Sequence, residues 1–259
     1  MKKTAKAAAL VAAVVLAAGL TACQKKDGAA QQPAGTAKAA KPTPVNEFSR
    51  ELTEDSSGVR ILEYNGSAKS VVIPAEIEGL PVKEIGEYAF INNDKTLKSV
   101  TVPDSVEKIG KNAFMGCKSL NSIIIPDSIE KIDEFVFCNC ISLKSVTLGN
   151  SVKEIGYNAF SNTALESVTI PDSVEEIGIE AFGGCKSLKS VTLGNSVQKI
   201  GCFAFSGCSA LQSLTIPDSL QKIKFVVNSY EGESGAFKGT ELPLATQARL
   251  KALGYTGSF

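Results

Sequence analysis

The chain has 259 residues, 27 Lys plus Arg against 27 Asp plus Glu, and neither His nor Trp. Zero net charge leaves no long-range field to draw in nucleic acid or an acidic membrane surface. Without His there is no Ser-His-Asp or Cys-His set, no imidazole metal ligand and no side chain titrating unperturbed near neutrality. The composition therefore points away from an enzyme, a cofactor protein, a metal site or a nucleic-acid binder.

Met1, Lys2, Lys3 and Lys6 make a basic start, and an apolar run extends from Ala7 to Leu20. That run is too short and too rich in Ala for a membrane span, which needs roughly 20 strongly apolar residues. It ends in Leu20-Thr21-Ala22-Cys23, which resembles the lipobox of bacterial lipoprotein precursors. The resemblance implies that residues 1–22 are a signal peptide and that Cys23 carries acyl chains, palmitate among them, as the mature N-terminus. Two or three chains on one residue anchor stably where one does not. Residues 23–46 are rich in Ala, Lys, Gln, Gly and Pro and cannot bury enough to order themselves, so they read as a flexible tether. About 20 such residues span roughly 25 Å. Gln24 stands where a sorting rule would place Asp to hold a lipoprotein at the inner membrane. The expected location is therefore the envelope, at the outer membrane and on the cell surface.

Residues 47–259 read as one repeat domain. Phe48 to Tyr64 holds two strand-like stretches around Ser56-Ser57-Gly58, a hairpin to cap the first coil. From about residue 59 to 240 a single unit recurs. Phe marks it at 90, 114, 137, 160, 182, 205 and 237, and five of the six intervals are 22 to 24 residues. A second marker keeps the same period: Ile73-Pro74, Val102-Pro103, Ile125-Pro126, Leu148-Gly149, Ile170-Pro171, Leu193-Gly194 and Ile216-Pro217. A fixed period of this size means stacked coils.

Within one period Leu120, Ile123, Ile125, Ile129, Ile132 and Phe137 are apolar. Ile123 and Ile125 have strand spacing and face inward, while Ser122 and Ile124 face outward. Pro126 ends the strand, since Pro donates nothing to the ladder. Gly86, Gly110, Gly156, Gly178 and Gly201, with Asp133 in the same place once, are expected to supply a bend at positive φ. The Asn112-Ala113-Phe114 type of segment is expected to be one helical turn that plugs the coil with Phe. No coil buries enough alone to offset ordering its residues, so the coils must stack. Seven at about 4.8 Å spacing make a solenoid roughly 34 Å long.

An insertion over Lys224–Ser234, with Phe225, Val226, Val227 and Tyr230, breaks the period and is a candidate contact for a ligand. Leu244 to Leu253 has helical spacing with Gly254 as its stop, a cap over residues 241–259. Four of the six remaining cysteines (Cys117, Cys140, Cys185 and Cys208) share the position three after Phe, with Thr163 in the gap. Stacked side chains point in parallel, which disulfide geometry disfavours, so buried reduced thiols are expected. Cys138 and Cys202 lie off that ladder and are the candidate reactive thiols. Asp104, Asp127, Asp172 and Asp218, with Asn150 and Asn195, come directly after Pro or Gly. They are spread evenly and read as turn residues capping their own backbone rather than as paired carboxylates.

Cys117, Leu120, Ile123, Ile125 and Pro126, and again Cys185, Leu188, Val191 and Leu193, fit Cys-x-x-Leu-x-x-Val-x-Leu/Ile-Pro-x-x-Val-x-x-Ile-Gly-x-x-Ala-Phe. This resembles the bacterial surface leucine-rich repeat, the BspA-like or treponemal class, over about residues 59–240. The resemblance implies an α/β repeat solenoid, predominantly β: a right-handed leucine-rich-repeat solenoid of about seven 23-residue coils with a β-hairpin cap, a helical cap and a sheet on the concave side. It also implies an extracytoplasmic protein that binds a partner protein, a host matrix protein among the candidates, in recognition or adhesion. The candidate binding residues are the outward positions of that sheet: Ser99, Thr101, Ser122, Ile124, Ser145, Thr147, Ser167, Thr169, Ser190, Thr192, Ser213 and Thr215, flanked by Lys98, Lys144 and Lys189 and joined by Phe225 and Tyr230 of the insertion. Two other readings stand beside this one, an envelope scaffold and a carbohydrate-active hydrolase built on a solenoid.

Overall fold

The computed structural model describes residues 41–93, 96–220, 222–226 and 235–259. The expected signal peptide, Cys23 and the tether up to residue 40 lie outside the described residues, as do Tyr230 and the rest of 227–234.

The N-terminal cap is an antiparallel pair, β1 (Phe48–Leu52) and β2 (Val59–Tyr64). Its turn is organised by Asp55, whose carboxylate accepts from the hydroxyls of Thr53 (2.7 Å) and Ser57 (2.6 Å) and from the Ser57 N–H (3.1 Å). The first coil has β3 (Ser70–Val72), β4 (Glu76–Ile77) and β5 (Leu80–Ile85). A second hairpin joins β4 and β5 through Glu78 and Gly79 at φ +55° and +80°, the two positive values that a tight hairpin turn requires. The folded chain also takes in Thr43–Asn46, although their composition groups them with the tether. The Thr43 N–H donates to the Val72 carbonyl, and its Oγ1 accepts the Val72 N–H, both at 2.9 Å, covering the edge of β3.

Six more coils are stacked on the first, each with one three-residue and one two-residue strand. Coil 2 has β6 (Ser99–Thr101) and β7 (Lys108–Ile109); coil 3 has β8 (Ser122–Ile124) and β9 (Lys131–Ile132); coil 4 has β10 (Ser145–Thr147) and β11 (Glu154–Ile155). Coil 5 has β12 (Ser167–Thr169) and β13 (Glu176–Ile177); coil 6 has β14 (Ser190–Thr192) and β15 (Lys199–Ile200); coil 7 has β16 (Ser213–Thr215) and β17 (Lys224–Phe225). Except between β7 and β9 and between β10 and β12, equivalent strands of neighbouring coils pair in parallel, as Ser122, Ile123 and Ile124 do with Ser145, Val146 and Thr147. The period of two turns Ile123, Val168 and Val191 inward and leaves the flanking Ser and Thr outward.

The third wall of the coil carries the Phe residues, and it is not helical. From residue 112 to 117 alternate N–H groups have alternate destinations. Asn112, Phe114 and Gly116 donate to Glu134, Val136 and Cys138 of the next coil at 3.1, 3.0 and 2.8 Å. Ala113, Met115 and Cys117 close three-residue turns within their own coil. Positive φ at Asn112 (+58°) and Gly116 (+70°) interrupts any helix. The wall is thus a third inter-coil ladder, which leaves few buried N–H groups unpaired. Along it the rings of Phe114, Phe137, Phe160, Phe182, Phe205 and Phe237 stack with centroids 5.2–5.4 Å apart. Phe48, Tyr64 and Phe90 continue the column into the N-terminal cap.

The glycines expected at positive φ are not there. Gly86, Gly110, Gly156, Gly178 and Gly201 have ordinary φ, and a Cβ on any of them would lie 2.3–2.8 Å from backbone of the coil before. They serve close approach between coils, glycine's other use. Positive φ falls instead on the residue two before each Phe and on Gly116, Asn139, Asn162, Gly184, Gly207 and Gly239, two after it. The Asp residues also act differently from expectation. Asp127 and Asp172 accept the backbone N–H of Asn150 (2.7 Å) and Asn195 (2.9 Å) in the following coil, so they staple neighbours rather than cap their own turn.

The C-terminal cap is α1 (Leu244–Ala252). Gly254 at φ +107° stops it: the Tyr255 N–H returns to the Leu250 carbonyl at 3.0 Å, a Schellman end. Leu250 and Leu253 are buried, and the Tyr255 ring meets Phe237 edge-on at 5.4 Å, closing the aromatic column.

Candidate partner-binding face

The three-residue strands form two sheets, β3-β6-β8-β10 and β12-β14-β16. Their outward residues are those expected from sequence. Thr101, Ser122, Ile124, Ser145, Thr147, Ser167, Thr169, Thr192, Ser213 and Thr215 are exposed, and Ser99 and Ser190 are half-buried. In-register parallel pairing sets like residues in rows, Ser on Ser and Thr on Thr. The Ser99 hydroxyl donates to that of Ser70 at 2.9 Å. Among the described residues the other hydroxyls of these rows make no side-chain hydrogen bond, so both their donor and acceptor capacities face outward. Ile124, 67% exposed, is the one large apolar side chain among them.

The two-residue strands present the opposite chemistry. Their outward residues and the residues just before them are charged and largely paired across coils, Lys131 with Glu154 (3.0 Å), Lys199 with Glu176 (2.5 Å) and Lys153 with Glu130 (2.8 Å), and Arg60 of β2 with Glu84 of β5 (2.6 Å) extends the row. Exposed pairs of this kind contribute little stability. They do neutralise the wall and occupy its hydrogen-bonding groups. The hydroxyl face is therefore the one that offers unused, uncharged hydrogen-bonding groups.

The insertion divides. Phe225, a candidate for ligand contact, takes the place of Ile200 in the ladder and is 9% exposed, with its ring against Tyr255 and Phe237. It belongs to the core and offers a partner almost nothing, while Tyr230 lies outside the described residues. Sequence reasoning missed a depression of about 560 Å³ beside it, lined by Tyr157, Ile179, Phe225 and Val226 together with charged residues such as Glu176 and Lys199. The signal was available. Tyr157 and Ile179 stand immediately after the repeat glycine, where other coils carry Glu87 and Lys111.

None of the six described cysteines is in a disulfide and all are buried, Cys138 and Cys202 included. The ladder thiols have a defined task. Cys117, Cys140, Cys185 and Cys208 donate from Sγ to the carbonyls of Phe90, Phe114, Phe160 and Phe182 in the preceding coil at 3.1–3.4 Å. Asn93 does the same to Tyr64 at 2.9 Å. Thr163 turns instead to the carbonyl of Phe160 in its own coil at 3.0 Å. Burial pushes the Cys140 thiol well above its usual range, and a hydrogen bond with Cys185 together with burial pushes Cys208 up. These are packing groups. Among the described residues no cluster of three or more Cys, Asp or Glu could hold a metal ion.

Parallel strands stacked in register, one Leu/Ile/Val-lined coil after another around an aromatic column, define a leucine-rich-repeat solenoid. The sequence matches the BspA type Leucine rich repeat region in six copies, over residues 61–189 and 153–230. The chain belongs to that family. A T. pallidum leucine-rich repeat protein of known structure is 36% identical, with 85% of this chain and 99% of that one covered and a TM-score of 0.76. Leucine-rich repeat proteins of Bacteroides ovatus and Eubacterium ventriosum are each 27% identical, with TM-scores of 0.56 and 0.60 over 70% and 74% of this chain. This chain spans about half the length of those two, 55% and 52%. No curated protein matches.

Proposed function

We propose that the chain is a lipid-anchored recognition protein that binds a partner protein through the hydroxyl face of its three-residue strands, in cell-surface recognition or adhesion. The observation that carries this is the contrast between two exposed walls of one solenoid. One wall has most of its charges paired, and the other displays rows of Ser and Thr with unused donors and acceptors. Short hydroxyl side chains suit adaptable hydrogen bonding at low entropic cost, and Ile124 supplies an apolar point among them. The anchor rests on the lipobox-like Leu20-Thr21-Ala22-Cys23 and on the tether C-terminal to it. Thr43, at the edge of β3, is where that tether would enter the fold.

Binding is tested by presenting the mature chain to a panel of matrix proteins and glycans. Ser145→Lys with Thr192→Lys is expected to abolish the signal found, and unchanged binding would move the site off this face. Metabolic labelling with a palmitate analogue is expected to mark the wild-type chain and not Cys23→Ser. Cleavage by protease added to intact cells separates surface recognition from an internal scaffold, because a scaffold inside the envelope would be protected.

A further inference from the structure

We infer that the solenoid is articulated at two joints, between coils 2 and 3 and between coils 4 and 5, with the Phe-bearing wall as the continuous strip about which the segments rock. The inference does not depend on what the hydroxyl face binds.

The first joint lies in the wall of two-residue strands. There β5 pairs with β7, and β9 to β17 form one sheet, but β7 and β9 do not pair. The N–H of Lys153 reaches the Glu130 carbonyl at 2.7 Å, and that of Glu107 reaches Lys83 at 2.7 Å, whereas Glu130 and Glu107 make no such bond among the described residues. The cause is one residue. Asp133 stands where the other coils have the glycine whose Cβ would meet preceding backbone at 2.3–2.8 Å. Its Cβ is real, so coil 3 cannot approach coil 2 as closely on this side.

The second joint lies in the wall of three-residue strands. Its sheet ends at β10 and a new one starts at β12. The Ile125, Ile170 and Leu193 N–H groups donate to Thr147, Thr192 and Thr215 of the next coil at 2.8–2.9 Å, but among the described residues the bond from Leu148 to Thr169 is missing, as is the one from Val102 to Ile124 at the first joint. Val146 is correspondingly only half-buried, where its equivalents Ile123, Val168 and Val191 are buried. Here the cause is length. Leu165 comes five residues after Phe160, where Leu120, Leu143, Leu188 and Leu211 come six after their Phe. The shorter link leaves β12 tied to the preceding coil only at its start, where the Glu166 N–H reaches the Lys144 carbonyl at 3.2 Å, and no ladder forms beyond it.

Each joint opens on one wall: the first keeps the β6–β8 pairing and the second keeps the β11–β13 pairing, and both are closed on the Phe wall. Phe114 donates to Val136 at 3.0 Å across the first, and Phe160 to Ala181 at 2.8 Å across the second. Asp127–Asn150 staples coil 3 to coil 4 and Asp172–Asn195 staples coil 5 to coil 6, while across the joints the Ser128 and Ser173 hydroxyls donate to the Val106 and Val152 carbonyls at 2.6 and 2.7 Å. In a repeat protein each interface contributes its own share of stability, so opening is easiest where the interface bonds are missing.

Residue-resolved amide exchange on the full chain tests this. In wild type the Leu148 amide is expected to exchange at least about tenfold faster than those of Ile125 and Leu193, and Glu130 at least about tenfold faster than Lys153, with Phe114 and Phe160 protected across both joints. Asp133→Gly is expected to slow Glu130 and leave Leu148 fast. One Ser inserted between Ala164 and Leu165 is expected to slow Leu148 and leave Glu130 fast. Equal protection of the matched amides in wild type would overturn the proposal, as would fast exchange of Glu130 persisting in Asp133→Gly. If the insertion variant does not fold, the wild-type comparison and Asp133→Gly still decide.

Discussion

The thiol of Cys140 donates to the carbonyl oxygen of Phe114 in the preceding coil at 3.1 Å. The same carbonyl accepts the Cys117 N–H at 3.1 Å, so the cysteine ties two coils at the point where the aromatic column turns. Cys140→Ala leaves the carbonyl one partner and removes a buried sulfur, with an expected loss of about 1–2 kcal/mol. Cys140→Ser restores a donor but with a shorter reach and a more polar group in an apolar site. The two denaturation midpoints should therefore both fall, and a gain in either would contradict a packing role.

The buried thiols also predict a pH dependence. Burial raises Cys140 and Cys138 above their unfolded range, so above the ordinary thiol pKa of 9.0 the folded chain holds protons that the unfolded chain releases. Stability that is complete below that pH is then lost as pH rises through and beyond it. At neutral pH the six thiols should resist an aromatic disulfide reagent until denaturant is added. Rapid stoichiometric modification of the native chain would count against their burial.

Phe160 sits mid-column, fully buried, with Phe137 and Phe182 at 5.2 and 5.3 Å. Phe160→Ala removes contacts from both neighbouring coils and is expected to cost about 3–5 kcal/mol. A calorimetric scan should show a large fall in Tm, and a change of a degree or less would mean that the column is not the core.

Asp127 and Asn150 are both exposed, so their staple is expected to contribute no more than about 1 kcal/mol. Asn150→Asp keeps the shape but sets two carboxylates together. Its destabilisation should shrink on adding salt. A salt-independent effect would point to backbone distortion instead.

Hydrogen bonds from Ser57 and then Thr53 hold the Asp55 carboxyl well below its ordinary value of 3.8. A depressed folded pKa stabilises above the unfolded value and is lost as pH falls through the folded one. The contribution is present above about pH 4 and fades below it. Carboxyl chemical shifts followed by NMR should show Asp55 titrating last among the acids, and Asp55→Asn should remove this part of the acid-limb dependence.

Much of the coil was legible in the sequence because burial has a period. The inward Ile123 and Ile132, the column of Phe, the outward Ser and Thr, the hairpin cap and the Gly254 stop all come from spacing and from local backbone preferences. The second hairpin at Glu78-Gly79 carried a turn signal that the repeat pattern masked. Phe225 looked like part of an exposed insertion because its neighbours break the period, yet its register places it under Ile200.

The order of residues alone specifies the stacking unit: which side chains face in, how long a coil is and how many there are. Those properties rest on contacts within a coil or at a fixed offset from it. How one coil meets the next emerges only in the folded stack. Glycine occupies two positions in the repeat, and composition does not distinguish a glycine that bends the chain from one that admits a neighbouring backbone. The separation of coils shows it: Gly116 takes positive φ, while Gly156 lies where a Cβ would meet the Ile132 carbonyl at 2.8 Å. Asp127 is equally ambiguous, since a carboxylate can cap its own turn or reach the next, and the 2.7 Å bond to Asn150 settles which. Distance between coils is set by the pair in contact, and neither member's sequence states it alone.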